Sequence, residues 1–253
     1  MKLLLSIVIP TLNEEKYLPL LLGDLVAQTN KSFEVVIVDG NSEDKTVQEA
    51  QRFRQRLKMH VIKVARRNLS YQRNIGGSKA RGEYLLVLDA DTRVEPTFIE
   101  TLTLEILKDR ALIYLPTILP INTKILYRVL FKISNIFVLV SQYWDRPFPT
   151  QAAMVFKRDF FMALGGYTVH ASQDKKKFFP DDHDIIHRAK KEGVKAKVLR
   201  LVFVKVSQRR FDRNSELKTF FTYAFSAIHM TVSGKVDNSK IDYEMGGHMY
   251  GKE

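Results

Sequence analysis

Cysteine is absent from all 253 residues, so the chain can form neither a disulfide nor a thiolate metal site. That absence fits a reducing compartment. No uninterrupted apolar run approaches the ~18 residues that would suggest a membrane-spanning helix. The apolar opening at residues 3–9 has about the minimum length of a signal core. However, no small-residue cleavage site follows before Glu14 and Glu15, so it reads as a first strand. Internal repeats and low-complexity linkers are also missing. Acidic residues are scarce: 28 Asp and Glu against 40 Lys and Arg leave a formal charge of +12 and a pI near 9.7. A polyanionic partner is therefore expected, whether nucleotide phosphates, nucleic acid or an anionic membrane face. With 45% hydrophobic residues the chain can build a substantial core, as one large domain or two small ones.

The most informative stretch is residues 82–96. Tyr84 to Leu88 is a short unbroken apolar run, as expected for a strand buried in a parallel sheet. Asp89 and Asp91 follow at its end, and Pro96 opens the next helix. In the turn after a strand, both carboxylates can lean into one crevice, where open α/β sheets bind ligands. Two hard oxygen ligands suit Mg²⁺ or Mn²⁺ carrying phosphates, with water and substrate completing the shell. Taken alone, Asp-x-Asp reads more simply as a solvated acidic turn, and it is the neighbouring motifs that favour a site.

Strands and helices alternate through the first half, which implies a wound, parallel sheet. Strands are expected over 3–9, 33–38, 60–64 and 84–88. Leu18, Leu21, Leu22 and Leu25 share one helical face. The Asn13-Glu14-Glu15 run resembles a helix start, although Pro19 would allow a regular helix only from Leu18. A polar helix is expected over 43–58 and a short one over 70–80. The small residues Gly76, Gly77, Ser78 and Ala80 of the latter permit close approach to the sheet or to a ligand.

The second half is less regular. Helical spacing over 125–144 puts Ile125, Val129, Ile133, Ile136 and Val140 on one side and Arg128, Lys132, Asn135 and Gln142 on the other. This describes a core helix with a solvated edge, or a helix lying in a membrane interface with its basic residues on lipid phosphates. Strands are expected over 153–156 and 197–206, and helices over 160–164 and 181–192, the latter stopped by Gly193. A loop is expected over 169–179, an amphipathic helix over 217–232 and a polar tail after it.

The expected strand ends carry Pro10-Thr11-Leu12-Asn13-Glu14, then Asp39-Gly40-Asn41-Ser42, then Asp89-Ala90-Asp91, all on one sheet edge. In this order and spacing the chain resembles the inverting glycosyltransferases of family 2, which have a Rossmann-like A-type nucleotide-sugar fold. The resemblance covers nearly the whole chain. It implies an α/β fold with a single wound mixed sheet flanked by helices and a C-terminal amphipathic helix. The catalytic domain would span 1–212, with a nucleotide-sugar half at 1–110 and an acceptor half at 111–212, followed by a helix and tail at 213–253.

For the site, the resemblance implies that Pro10, Thr11, Asn13 and Glu14 hold base and ribose, and that Asp39 accepts from the ring N–H of a uracil or guanine. Arg73 and Asn74 match the segment beside the diphosphate and donor sugar. Asp91 would bind the divalent metal (Mn or Mg) directly, and Asp89 would bind ribose or the metal through water. Asp181-Asp182-His183-Asp184 resembles the family's base segment, with Asp181 where Glu is usual. By register Asp182 takes the base position, with Asp181 the alternative, and the helix N-terminus is expected to keep that carboxylate ionised. His183 and His187 are expected at the surface or behind the reacting groups. Gly166 matches the turn where the acceptor sits. Arg209 and Arg210 would reach diphosphate or a phosphorylated acceptor, and His248 would fold back onto the metal.

The activity so implied is transfer of a sugar from a UDP- or GDP-linked donor to an acceptor hydroxyl, with inversion. A lipid-linked glycan of the cell envelope is a fitting acceptor for a basic protein. Such a protein would be cytoplasmic and peripheral on the inner face of an anionic membrane. A basic nucleic-acid-binding protein, or a catalytically silent chain on the same fold, is the alternative class. No nucleic acid is expected, because no basic stripe with interleaved aromatics is evident. A nucleotidyltransferase would need a Gly-rich loop after the first strand, where this chain has none.

Overall fold

The computed structural model describes residues 3–121, 124–150, 152–169 and 181–207. Arg209, Arg210, His248, the expected helix over 217–232 and most of the 169–179 loop lie outside the described residues.

Among the described residues eight strands form one sheet: β1 (Leu5–Thr11), β2 (Phe33–Asp39), β3 (Met59–Lys63), β4 (Tyr84–Leu88), β5 (Thr92–Val94), β6 (Ile113–Pro120), β7 (Ala153–Lys157) and β8 (Lys197–Val206). Their order is β3-β2-β1-β4-β7-β6-β8-β5. The β3-β2-β1-β4 side is parallel throughout. β7 enters antiparallel between β4 and β6, so the sheet is mixed. The helices are α1 (Leu18–Val26), α2 (Thr46–Gln51), α3 (Leu69–Lys79), α4 (Phe98–Asp109), α5 (Ile125–Ser141), α6 (Arg158–Ala163) and α7 (Asp181–Lys191).

The two sheet faces are covered by different helices, as strand alternation requires. Ile7, Ile9, Ile37, Leu86 and Leu88 pack with Leu21 and Leu25 of α1 and Leu102 of α4 in one cluster. Val8, Leu85 and Val87 face the other way, onto Phe161 of α6, Ile185 and Ile186 of α7 and Val138 of α5. α3 lies on this second face. A Cβ at Gly76 would sit 2.2 Å from Val8 Cγ1, and one at Gly77 would sit 2.8 Å from the Phe161 ring. The small residues of α3 therefore serve close approach to the sheet and to α6.

Two expectations change, and β6 is a strand that no expectation covered. The helix expected over 43–58 is regular only over Thr46–Gln51, then continues as turns. Its remaining residues are mostly charged, with little apolar stripe to hold a longer helix against the sheet. The strand β6 carries Pro116, which cannot donate to the ladder, and the β6–β8 register shifts between Pro116 and Thr117.

The core-helix expectation for α5 is overturned. Only Tyr127, Phe131, Val138 and Ser141 are buried, while Ile125, Val129, Ile133, Ile136 and Val140 are exposed. Of the stripe expected to be solvated, Arg128 and Lys132 stay exposed while Asn135 and Gln142 turn inward. Asn135 accepts from Ile118 N–H at 3.1 Å and donates to Ile118 O at 2.7 Å, and Gln142 is buried.

Candidate active site

Parallel pairing brings the C-terminal ends of β1, β2 and β4 to one edge, with Thr11 opposite Asp39 and Val8 opposite Val87. Asp39 is buried there and held on several donors. Its carboxylate accepts from the Ser42 N–H at 3.1 Å, from the Ser42 hydroxyl, and at 3.5 Å from the Thr11 hydroxyl.

The loops after β1 and β2 are laced into one lip. Asn13 has a left-handed backbone, φ 55, and its N–H donates to Ser42 Oγ at 2.9 Å. Its Oδ1 accepts from the Glu43 N–H at 2.8 Å, and the Glu14 N–H donates to Thr46 Oγ1 at 2.7 Å. Asn13 is thus no helix cap; α1 begins at Leu18 with Pro19 in its first turn.

Gln72, which no sequence pattern singles out, fastens this edge from behind. Its Nε2 donates to Thr11 O at 2.8 Å and to Val38 O at 2.7 Å. Gly40 leaves room for it, since a Cβ there would lie 3.1 Å from the Gln72 amide.

Arg73, one residue on, is the electrostatic centre. Its guanidinium is buried and donates to Asp182 Oδ1 at 2.8 Å and to Asp89 Oδ1 at 3.1 Å. It also lies 5.0 Å from the centroid of the Tyr167 ring. Tyr167 is held by Asn74, which accepts from its N–H and donates to its carbonyl, both at 2.8 Å. Burial opposes the charge on Arg73, but Asp182, Tyr167 and Asp89 outweigh it, so its pKa lies above the ordinary arginine value.

Asp181 and Asp182 both arrive on the first turn of α7. Asp181 accepts from the Ser70 hydroxyl, and Asp182 takes the Arg73 bond. The two candidate bases thus have different partners. The expectation that the helix N-terminus keeps Asp182 ionised is not met: its pKa is pushed up to about 7. Burial is the main cause. The Asp89 and Asp181 carboxylates add to it, against the lowering by the single guanidinium.

His183 is buried rather than at the surface, edge-on to Phe148 at 4.2 Å between centroids. Burial lowers its pKa to about 3, so it stays neutral. His187 Nδ1 lies 3.1 Å from Asp145 O, away from these carboxylates' partners. Gly166 has φ +67, and its carbonyl accepts from Arg188 at 2.6 Å. A Cβ there would meet Asn74 Oδ1 at 2.5 Å, so glycine is required by both conformation and space.

Asp91 is half-buried in the turn between β4 and β5. Among the described residues no group of three or more His, Cys, Asp or Glu could hold a metal. The turn after β4 does carry two hard carboxylates, Asp89 and Asp91. That fits Mg²⁺ or Mn²⁺ that takes its remaining oxygens from phosphate and water.

The same architecture recurs in known proteins. Residues 1–349 of Staphylococcus aureus TarS, solved in complex with UDP-GlcNAc, superpose with a TM-score of 0.64 at 18% identity, over 88% of this chain and 67% of that one. The Pyrobaculum calidifontis mannosyltransferase PcManGT, solved with GDP-Man and Mn²⁺, gives 0.63 at 21% identity, over 87% and 64%. In sequence, the S. aureus poly(ribitol-phosphate) beta-N-acetylglucosaminyltransferase TarS is 36% identical over 90 residues, which is 34% of this chain and 16% of that protein. The Borreliella burgdorferi cholesterol galactosyltransferase is 31% identical over 98 residues, 38% of this chain and 27% of that one. The two sequence matches span well under half the length of those relatives. The sequence pattern of Glycosyl transferase family 2 matches residues 6–165, more than half of the chain, and ends before Asp181 and Asp182. By that match the chain belongs to glycosyl transferase family 2.

Proposed function

We propose that the protein transfers a sugar from a nucleoside diphosphate sugar to an acceptor hydroxyl, with inversion at the anomeric carbon. The observation that carries this reading is the junction at Arg73, where the residue after β4 and the first turn of α7 share one buried guanidinium. A donor-side carboxylate and a base candidate thereby flank one crevice, beside the lip built from Thr11, Asn13 and Asp39.

In this reading residues 1–212 form the catalytic domain, with the donor half at 1–110 and the acceptor half at 111–212. Asp39 accepts from the base N–H, and Pro10, Thr11, Asn13 and Glu14 line the nucleoside. Asp91 and Asp89 would hold a divalent metal, which when bound neutralises charge on the departing diphosphate. Asp182 takes the proton of the attacking hydroxyl. A pKa of about 7 keeps a useful share of the group ionised at neutral pH while making that share more basic than an ordinary carboxylate. Asp181 stays on Ser70 and shapes the same turn. Gly166 lies on the acceptor side.

Neighbours in complex with UDP-GlcNAc and with GDP-Man support a nucleotide-sugar donor of either base. The acceptors named for the relatives differ, a ribitol-phosphate polymer in one and cholesterol in another. For this chain a hydroxyl of a lipid-linked envelope glycan, met at the cytoplasmic face of the membrane, fits the charge of +12.

Calorimetric titration of UDP and of GDP, each with and without Mn²⁺, tests the donor side. One nucleotide should bind only with metal, and Asp91→Ala should weaken it. Absence of binding by either nucleotide with metal present would overturn the donor site.

A further inference from the structure

Helix α5 turns its apolar face outward. Ile125, Val129, Ile133, Ile136 and Val140 recur at helical spacing as one stripe, and Ile125 is 78% exposed. Tyr143 and Trp144, just past its C-terminus, are also exposed. Soluble monomers rarely leave so continuous an apolar patch in water without a use for it.

An open groove of about 740 Å³ runs between α5 and the β6–β8 edge. It is lined by Arg128, Lys132, Arg200 and Lys205 and by no carboxylate. Lys205 also reaches Glu95, but α5, β6 and β8 themselves contain no Asp or Glu. Aliphatic side chains pointing to solvent, cations set beside them and aromatics at one end are what the boundary of an anionic bilayer accepts. A second copy of this chain is a poor occupant. A two-fold interface here would set the same four cations against each other with nothing to neutralise them.

We infer that α5 and the adjoining groove form a docking face for an anionic lipid bilayer. The apolar stripe enters the acyl boundary, and Arg128, Lys132 and Arg200 meet lipid phosphates. No helix among the described residues is long and apolar enough to cross a membrane, so this contact lies in the membrane plane. The face is also placed to serve the candidate site. Lys205 on the groove pairs with Arg93, and Val206 with Thr92, the residue after Asp91. The inference rests on the proposed transfer only for what the bilayer would present, namely a lipid-borne hydroxyl, and the two fail separately.

Trp144 is the only tryptophan in the chain, so it reports docking directly. The full chain is mixed with vesicles of phosphatidylglycerol and phosphatidylcholine, or of phosphatidylcholine alone, and followed by co-sedimentation and Trp144 emission. Binding and a blue shift are expected with the anionic vesicles at low salt, weakening at high salt. The double variant Ile133→Glu/Ile136→Glu alters only exposed positions. It should lose about tenfold or more in vesicle affinity while keeping its thermal melt and its nucleotide binding. Three results would overturn the inference: no sedimentation with anionic vesicles at low salt, binding that the double variant leaves intact, or a dimer that the double variant dissociates.

Discussion

Arg73 donates to Asp182 across 2.8 Å, tying the middle of α3 to the first turn of α7. The same guanidinium holds Asp89 at 3.1 Å, so one buried cation serves two carboxylates, with Asp181 adding to the negative field at Asp182. Removing the cation leaves these charges unopposed in a site largely closed to water. Arg73→Ala should therefore cost about 3–5 kcal/mol, the range for breaking a buried pair from one side. Arg73→Lys should fall between, because an ammonium keeps the charge but cannot reproduce the two-armed geometry. Urea unfolding measures both. An Arg73→Ala protein as stable as wild type would show that the pairs contribute nothing.

Asp182 makes the pH dependence specific. As a base it must be ionised, so transfer should rise with pH and level off above about 7. Asp182→Asn should lower turnover by about 10²–10⁴-fold while leaving nucleotide binding within a few fold. Stability should run the other way. The folded-state pKa is raised above that of the unfolded chain, near ~4, so the native state binds this proton more tightly. The stability this contributes is complete below pH ~4 and is lost as pH rises through about 7. Asp182→Asn should thus gain on wild type in melting temperature from acid towards neutral pH. A gap between the two that does not change with pH would refute the shift.

Much of the sheet edge that carries Thr11, Asp39 and Asp89 is legible because buried parallel strands announce themselves as short apolar runs. Residues 84–88 and 197–206 form strands at the expected positions, and Asp39, Asp89 and Thr11 gather where the strand ends implied. β6 was hidden by Pro116 and Pro120, and β5 is only three residues long, too short to show a period. An apolar run does not reveal its direction, so the antiparallel entry of β7 could not be read from 153–157. α5 misleads for a related reason. Periodicity shows that its faces differ, but not that Tyr127, Phe131 and Val138 pack inward while the isoleucine stripe stays outside. Gln72 and the raised pKa of Asp182 depend on neighbours far away in the chain, which no local pattern encodes.

Asn13 separates conformation from bonding. Its φ of 55 disfavours most side chains, and its Oδ1 holds the Glu43 N–H. Asn13→Gly should keep the backbone but lose the side-chain bond, at about 1 kcal/mol. Asn13→Ala should lose both and cost about 1–2 kcal/mol more. Both should weaken nucleotide binding if the lip is part of the site. Equal melting temperatures for the two variants would remove the conformational half of this account.

Gly76 tests how α3 is seated on the sheet. A Cβ there would lie 2.2 Å from Val8 Cγ1, a distance no pair of carbons tolerates, and Val8 is fully buried at the centre of β1. Gly76→Ala would ordinarily stabilise a helix interior by ~1 kcal/mol. Here the helix must lift or Val8 must move, and overpacking of this kind costs about 1–3 kcal/mol. Lifting α3 also moves Gln72 and Arg73, so nucleotide binding should fall together with stability. Val8→Ala removes the clashing methyls and should be destabilising alone, through the cavity it leaves. In the double variant the new methyl partly fills that cavity, so the combined loss should be smaller than the sum of the two. Strict additivity of the unfolding free energies would mean that Gly76 and Val8 are not in contact.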